Sequence, residues 1–260
     1  MSKFRFARMS VAVVLPFLFA ASSAFAQLPG GDGSPGVSTA LLKLFGSVTA
    51  FTARADVQVV DSSKVEHLRT PMMFAALDGK LRVEIDMTLI RGKKLPPAAV
   101  ASLKQLGMDR VVSLLRPDKK TLFILYPNAQ SYVNLPFTKD EIASDKNLKV
   151  EKTALARETV DGHPCVKNQV VIRSGTNIVL TATTWNASDL KDFPVQIATR
   201  EKNMTSVMRF EQIQFIRTEA KQFDPPVGFT KFNDAQTLVL ARSAKIPEGV
   251  KKQGGRDVNH

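Results

Sequence analysis

The sequence predicts a mainly β protein, an antiparallel sheet or open barrel with a few short helices. Three observations predict it. Several segments alternate apolar and polar residues with period two, the pattern of a strand with one buried and one wet face. Turn signals recur about every ten residues through the second half, which suits antiparallel strands better than βαβ units. Helical spacing is confined to short runs bounded by Gly or Pro.

The segments can be justified in chain order. Residues 1–26 have a basic start (Lys3, Arg5, Arg8), an apolar run from Val11 to Ala21 and the small-residue ending Ala24-Phe25-Ala26, the three parts of a cleavable export signal. Pro16 interrupts the run, which falls short of the roughly 20 residues a spanning helix needs. No cysteine follows it, so the mature chain is expected to carry no lipid anchor and to reside in the periplasm or be secreted. Residues 27–36 read as a flexible Gly/Pro-rich leader, 37–244 as one β domain, and 245–260 as a disordered basic tail.

Within the domain, Val37, Leu41, Leu44 and Phe45 have helical spacing, so a short amphipathic helix opens it. Phe51, Ala53, Ala55, Val57 and Val59 then alternate with polar residues. Asp78-Gly79-Lys80 separates Met72–Leu77 from the alternating run Leu81, Val83, Ile85, Met87 and Leu89, which predicts a hairpin. Pro96 and Pro97 start a helical run that Gly107 ends. VVSLL, TLFILY and SYVNL, separated by turns after Arg116 and Tyr126, read as a three-strand meander. Residues 138–148 fit a helix or a loop. Strands are predicted at Lys149–Thr159, Cys165–Arg173, Thr176–Asn186, Val195–Glu201 and Thr205–Arg217, with Asp224-Pro225-Pro226 ending the sheet and Asn233–Ser243 forming a helix or a strand.

The formal charge of the full chain is +12, and loss of Lys3, Arg5 and Arg8 lowers it to +9. A basic exported protein suits an anionic membrane surface, an acidic partner protein or plain solubility. Nucleic acid is not expected, because the Lys and Arg residues are scattered without interleaved aromatics. The single cysteine, Cys165, allows no intramolecular disulfide and reads as a small buried strand residue.

Catalytic signals are absent from the pattern. There is no G-x-S-x-G elbow, and Arg91-Gly92-Lys93-Lys94 lacks the glycines and Ser/Thr of a phosphate loop. His67, His163 and His260 lie far apart with no carboxylate or cysteine at ligand spacing, so neither metal nor cofactor is expected. Glu84 and Asp86 share a strand face, but as a solvated charged surface. Methionines on predicted strands (Met72, Met73, Met87, Met204, Met208) offer an adaptable apolar wall or ordinary core filling.

Four second-half segments carry a resemblance: Glu158–Ile172 around Asp161-Gly162, Thr181–Ile197 with Trp185 and a Leu-x-x-x-Pro edge, Met204–Phe215, and Gln222–Phe232 with a Phe-x-x-Pro closure. They resemble the outer-membrane lipoprotein carrier and receptor superfamily of the Lol pathway, most closely its uncharacterised periplasmic relatives. The resemblance implies an unclosed, curved antiparallel half-barrel of about 11 strands, plugged by short helices around an apolar cavity that accepts acyl chains. In the carrier an arginine near the start of the sheet helps hold a lid closed; Arg54 and Arg69 lie in that region, and the role is carried over to neither.

The expected function is therefore a monomeric, non-catalytic carrier or chaperone for a lipid or the acylated part of a lipoprotein. An envelope interaction module with a filled core is the alternative, and an enzyme ranks third. The candidate cavity residues are Phe51, Val57, Met73, Val83, Ile85, Met87 and Ile124 in the first half, and Val170, Ile178, Leu180, Trp185, Met208 and Phe210 in the second. The concave side is expected to be apolar and at least partly empty.

Overall fold

A computed structural model describes residues 38–92 and 96–244. The expected export signal, leader and basic tail lie outside the described residues, as do residues 93–95. The described residues form one twelve-stranded sheet in the order β12-β6-β5-β4-β3-β2-β1-β11-β10-β9-β8-β7.

The first half is a meander: β1 (Ala50–Asp61), β2 (Glu66–Leu77), β3 (Lys80–Asp86), β4 (Arg110–Arg116), β5 (Thr121–Tyr126) and β6 (Ser131–Pro136). The second is another: β7 (Leu148–Val160), β8 (His163–Ser174), β9 (Asn177–Ala187), β10 (Phe193–Glu201) and β11 (Met204–Gln214). Its last strand returns to pair antiparallel with β1, so β6 and β7, consecutive in sequence, end up towards opposite edges. Alternation sets the register: Phe51, Ala53, Ala55, Val57 and Val59 of β1 are all buried, and a one-residue slip would turn them to solvent. Asp78-Gly79 and Asp161-Gly162 have positive φ at both residues, as tight hairpins joining twisted strands require.

Among the described residues, four α-helices accompany the sheet. α1 (Thr39–Leu44) is capped by Ser38, whose hydroxyl accepts from the Leu41 N–H, and it buries Ala40, Leu41 and Leu44 in the concave face with the following Phe45. α2 (Pro97–Leu106) starts on proline and stops at Gly107, whose φ of 72° suits a left-handed cap. α3 (Lys139–Lys146) resolves the ambiguous 138–148 stretch: Thr138 and Glu141 make a reciprocal capping box. α4 (Ala235–Ala244) buries Leu238 and Val239 in the same core.

Two expectations need correction here. Met87 and Leu89 leave the β3 line in a single 3-10 turn, Met87–Leu89, nucleated by Asp86 accepting from the Thr88 N–H; Met87 stays buried while Leu89 is exposed. The Asp224-Pro225-Pro226 segment does not end the sheet, because β12 (Thr230–Phe232) follows and pairs parallel with β6. To reach that edge the chain crosses the outer face. It buries Phe223 completely beside Ala75 and Leu77 and sets Phe229 against Val112, Leu114 and Leu125. Arg116, 5% exposed, fastens this strap by donating to the Phe223 carbonyl at 3.1 Å and pairing with Asp118 and Asp224.

Candidate functional site

The concave face is a largely apolar wall. Phe51, Val57, Val83, Ile85, Met87, Ile124, Val170, Leu180, Met208 and Phe210 all belong to one buried cluster that spans both meanders. Cross-strand pairing explains how distant residues meet: Val57 lies opposite Met208, and Met72 opposite Ile85.

Three candidates fall elsewhere. Met73 is 51% exposed, because alternation on β2 sends Met72 and Phe74 inward and Met73 out. Ile178 is 57% exposed; a bulge lies between Ile172 and Arg173, so Leu180 pairs with Ile172 while Ile178 pairs with Arg173, on the other face. Strict two-residue counting from Leu180 fails across such an irregularity. Trp185 is half-buried at the core margin opposite Lys167. Its indole N–H donates to Glu158 Oε2 at 2.6 Å, and Lys167 Nζ stands 5.1 Å from the ring centroid. Arg54 is exposed and Arg69 bonds to Glu66 and Asp56.

Part of the wall is covered by the chain's own residues. α1 delivers Phe45 into an aromatic cluster with Phe51, Phe193 and Phe210, at ring-centroid separations of 4.8, 5.5 and 5.6 Å, within the range of favourable aromatic pairing. In this conformation, Phe45, Leu41 and Leu44 stand where an acyl chain was expected. The plug is tied down at its start by one long-range side-chain contact, the Thr39 hydroxyl donating to the Asp145 carboxylate of α3. Burial, partly offset by that bond, raises the Asp145 carboxyl above its ordinary value of 3.8.

Polar groups within the wall were not anticipated. Asn168, Thr184 and Asn186 are buried and mutually bonded: Asn168 Nδ2 donates to Asn186 Oδ1 at 3.0 Å, Thr184 Oγ1 to the same oxygen at 2.7 Å, and Asn186 Nδ2 to the Asp192 carbonyl at 2.7 Å. The polar residues at 168, 184 and 186 interrupt otherwise apolar inward positions, a signal visible only once register is known. Thr70, 2% exposed, differs because its hydroxyl has no hydrogen-bond partner.

A separate cavity of about 440 Å³ lies by the β7–β8 hairpin, lined by Arg157, Glu158, Thr159, Pro164, Cys165, Val166 and Ser188. Burial pushes the Cys165 thiol up, and the Trp185 N–H and Lys167 hold the Glu158 carboxyl down. Among the described residues no three His, Cys, Asp or Glu side chains converge on a metal-sized site. No described helix is long and apolar enough to cross a membrane.

No family model matches the chain, and no curated protein does. Solved structures similar to it include a LolA superfamily protein from Nitrosomonas europaea, at 9% identity, 72% of this chain, 98% of that one and a TM-score of 0.36. A putative outer-membrane lipoprotein-sorting protein domain from Vibrio parahaemolyticus is similar at 9% identity, 72% and 94% coverage and a TM-score of 0.37. The Pseudomonas aeruginosa MucA/MucB complex is similar at 11% identity, with 72% of this chain, 60% of that one and a TM-score of 0.36.

Proposed function

We propose that the protein is a non-catalytic carrier or chaperone of the cell envelope that takes a lipid, or the acylated part of a lipoprotein, against the concave face of its sheet. The observation that carries this reading is an unclosed sheet in which one buried apolar cluster runs across both meanders and is packed in part by a six-residue helix, α1. Displacing α1 exposes Leu41, Leu44 and Phe45 at about 2 kcal/mol each, roughly 6 kcal/mol in all. A 16-carbon chain offers about 10 kcal/mol gross in the same place, and the surplus is reduced by ordering costs. Exchange of plug for ligand is therefore energetically balanced, as reversible carriage requires.

Native mass spectrometry of the purified protein, together with displacement of a fluorescent fatty acid, tests the reading. Co-purified lipid or saturable probe binding is expected; a protein that holds neither lipid nor probe overturns it.

The aromatic packing around Phe45 favours a second reading, an interaction module with a permanently filled core. Pull-down from envelope extract that persists when Ala55 of the wall is enlarged to Val would favour this reading over carriage.

A further inference from the structure

The strand registers gather several turns at one end of the sheet. Asp61 of β1 pairs with Met204 of β11, Glu201 of β10 with Met204, Ser174 of β8 with Asn177 of β9, and Leu148 of β7 with Ser174. The β1–β2, β10–β11 and β8–β9 turns and the start of β7 therefore share one rim. Arg91, bridged through its backbone to Arg69 of β2, brings the segment after β3 to the same end. Gly92 allows this close approach, since a Cβ there would stand 2.3 Å from the His67 carbonyl oxygen.

The rim pairs apolar tips with cations. Lys64 adjoins Val65, Lys149 adjoins Val150, and Leu89 lies two residues from Arg91; all six are exposed. Ile178 and Val179 add a fourth apolar tip, and Arg200 and Lys202 two more exposed cations. Among the described residues, Lys64, Lys149, Arg200 and Lys202 make no salt bridge. Acidic groups are present too: Asp61 is bonded to His67 and the backbone of Ser63 and Val65, Glu66 to Gln58 and Arg69, Glu151 to Arg173 and Asp145 to Thr39, and Glu201 is exposed at the β10–β11 turn.

We propose that this rim docks on an anionic phospholipid bilayer. Separate apolar tips, three of them flanked by a cation, match the boundary where acyl chains meet headgroup phosphates, because the tip buries in the former while the cation stays with the latter. The scattered distribution suits a fluid surface; a fixed acidic protein would have to place a carboxylate at each cation. The Thr39–Asp145 end of α1 lies towards this rim, since Asp145 precedes the start of β7 by three residues. The proposal stands whether or not the interior accepts an acyl chain.

Co-sedimentation of the purified full chain with unilamellar vesicles tests it. Binding to mixed phosphatidylcholine/phosphatidylglycerol vesicles, absent on phosphatidylcholine alone and weakened by salt, is expected. Each cation removed should lower partitioning about fivefold, so Lys149→Gln, Arg200→Gln and Lys202→Asn together lower it about a hundredfold. The same loss of charge at the opposite end, Lys80→Gln, Lys120→Asn and Arg157→Gln, should cost only a few-fold. Ile178→Ser, at a solvated position, supplies an arm without charge change and should weaken binding severalfold. Equal losses in the two triple variants, equal binding to neutral vesicles, or capture by an acidic polypeptide with no vesicle binding would each overturn the proposal.

Discussion

Thr70 sits on β2 opposite the buried Val57, its hydroxyl sealed from water and without a hydrogen-bond partner. Such a group costs the desolvation of a donor and an acceptor with no return. Thr70→Val keeps the shape and removes that cost, so it is expected to stabilise the protein by about 1 kcal/mol, read as a higher urea midpoint at unchanged slope; a lower midpoint would mean that the hydroxyl is satisfied in solution. Asp145 makes a different residue-scale prediction. Burial raises its carboxyl in the folded state, so the favourable contribution is present below the unfolded value of 3.8 and fades as pH climbs through the folded one. Asp145→Asn removes the charge and keeps an oxygen to accept from Thr39. Its melting temperature should exceed that of the parent at pH 7, and the gap should close on acidification; a gap that widens in acid would reverse the assignment.

The strap over the outer face shows what one short segment does for an element. Phe223, fully buried against Ala75 and Leu77, anchors the chain between β11 and β12, and Phe223→Ala should cost about 3 kcal/mol. Loss of amide protection in β12 and β6 ahead of β1 and β11 would show that the strap acts locally, whereas uniform loss would make it part of the main core. This strap was hidden in the sequence, because three residues of β12 are too few to show a period and Phe223 stands among polar neighbours. Longer elements were legible for the converse reason: β1 and β3 carry five and three inward apolar residues at unbroken period two. Where the period slips, reading failed, as at Ile178 beyond its bulge. α3 was legible in principle, since Thr138-x-x-Glu141 is a capping-box pattern, but its polar faces gave no periodicity to support it.

At the scale of the whole molecule, most of the wall residues could be named in advance while their occupant could not. Inward positions follow from alternation, but the fact that Phe45 meets Phe51, Phe193 and Phe210 depends on how α1 folds back, which no local pattern encodes. The proposed carriage turns on whether that helix leaves. The side-chain contact between Thr39 and Asp145 places a cross-link where the plug meets α3, so Thr39→Cys with Asp145→Cys provides a lock that native Cys165, buried and distant in sequence, does not complicate. If ligand enters by displacing α1, the oxidised double variant should lose fluorescent fatty-acid binding at least tenfold and regain it on reduction, while each single variant binds like the parent. Undiminished binding by the oxidised protein would locate the ligand away from the plug, for instance at the cavity beside Cys165, and would leave the aromatic cluster as permanent core.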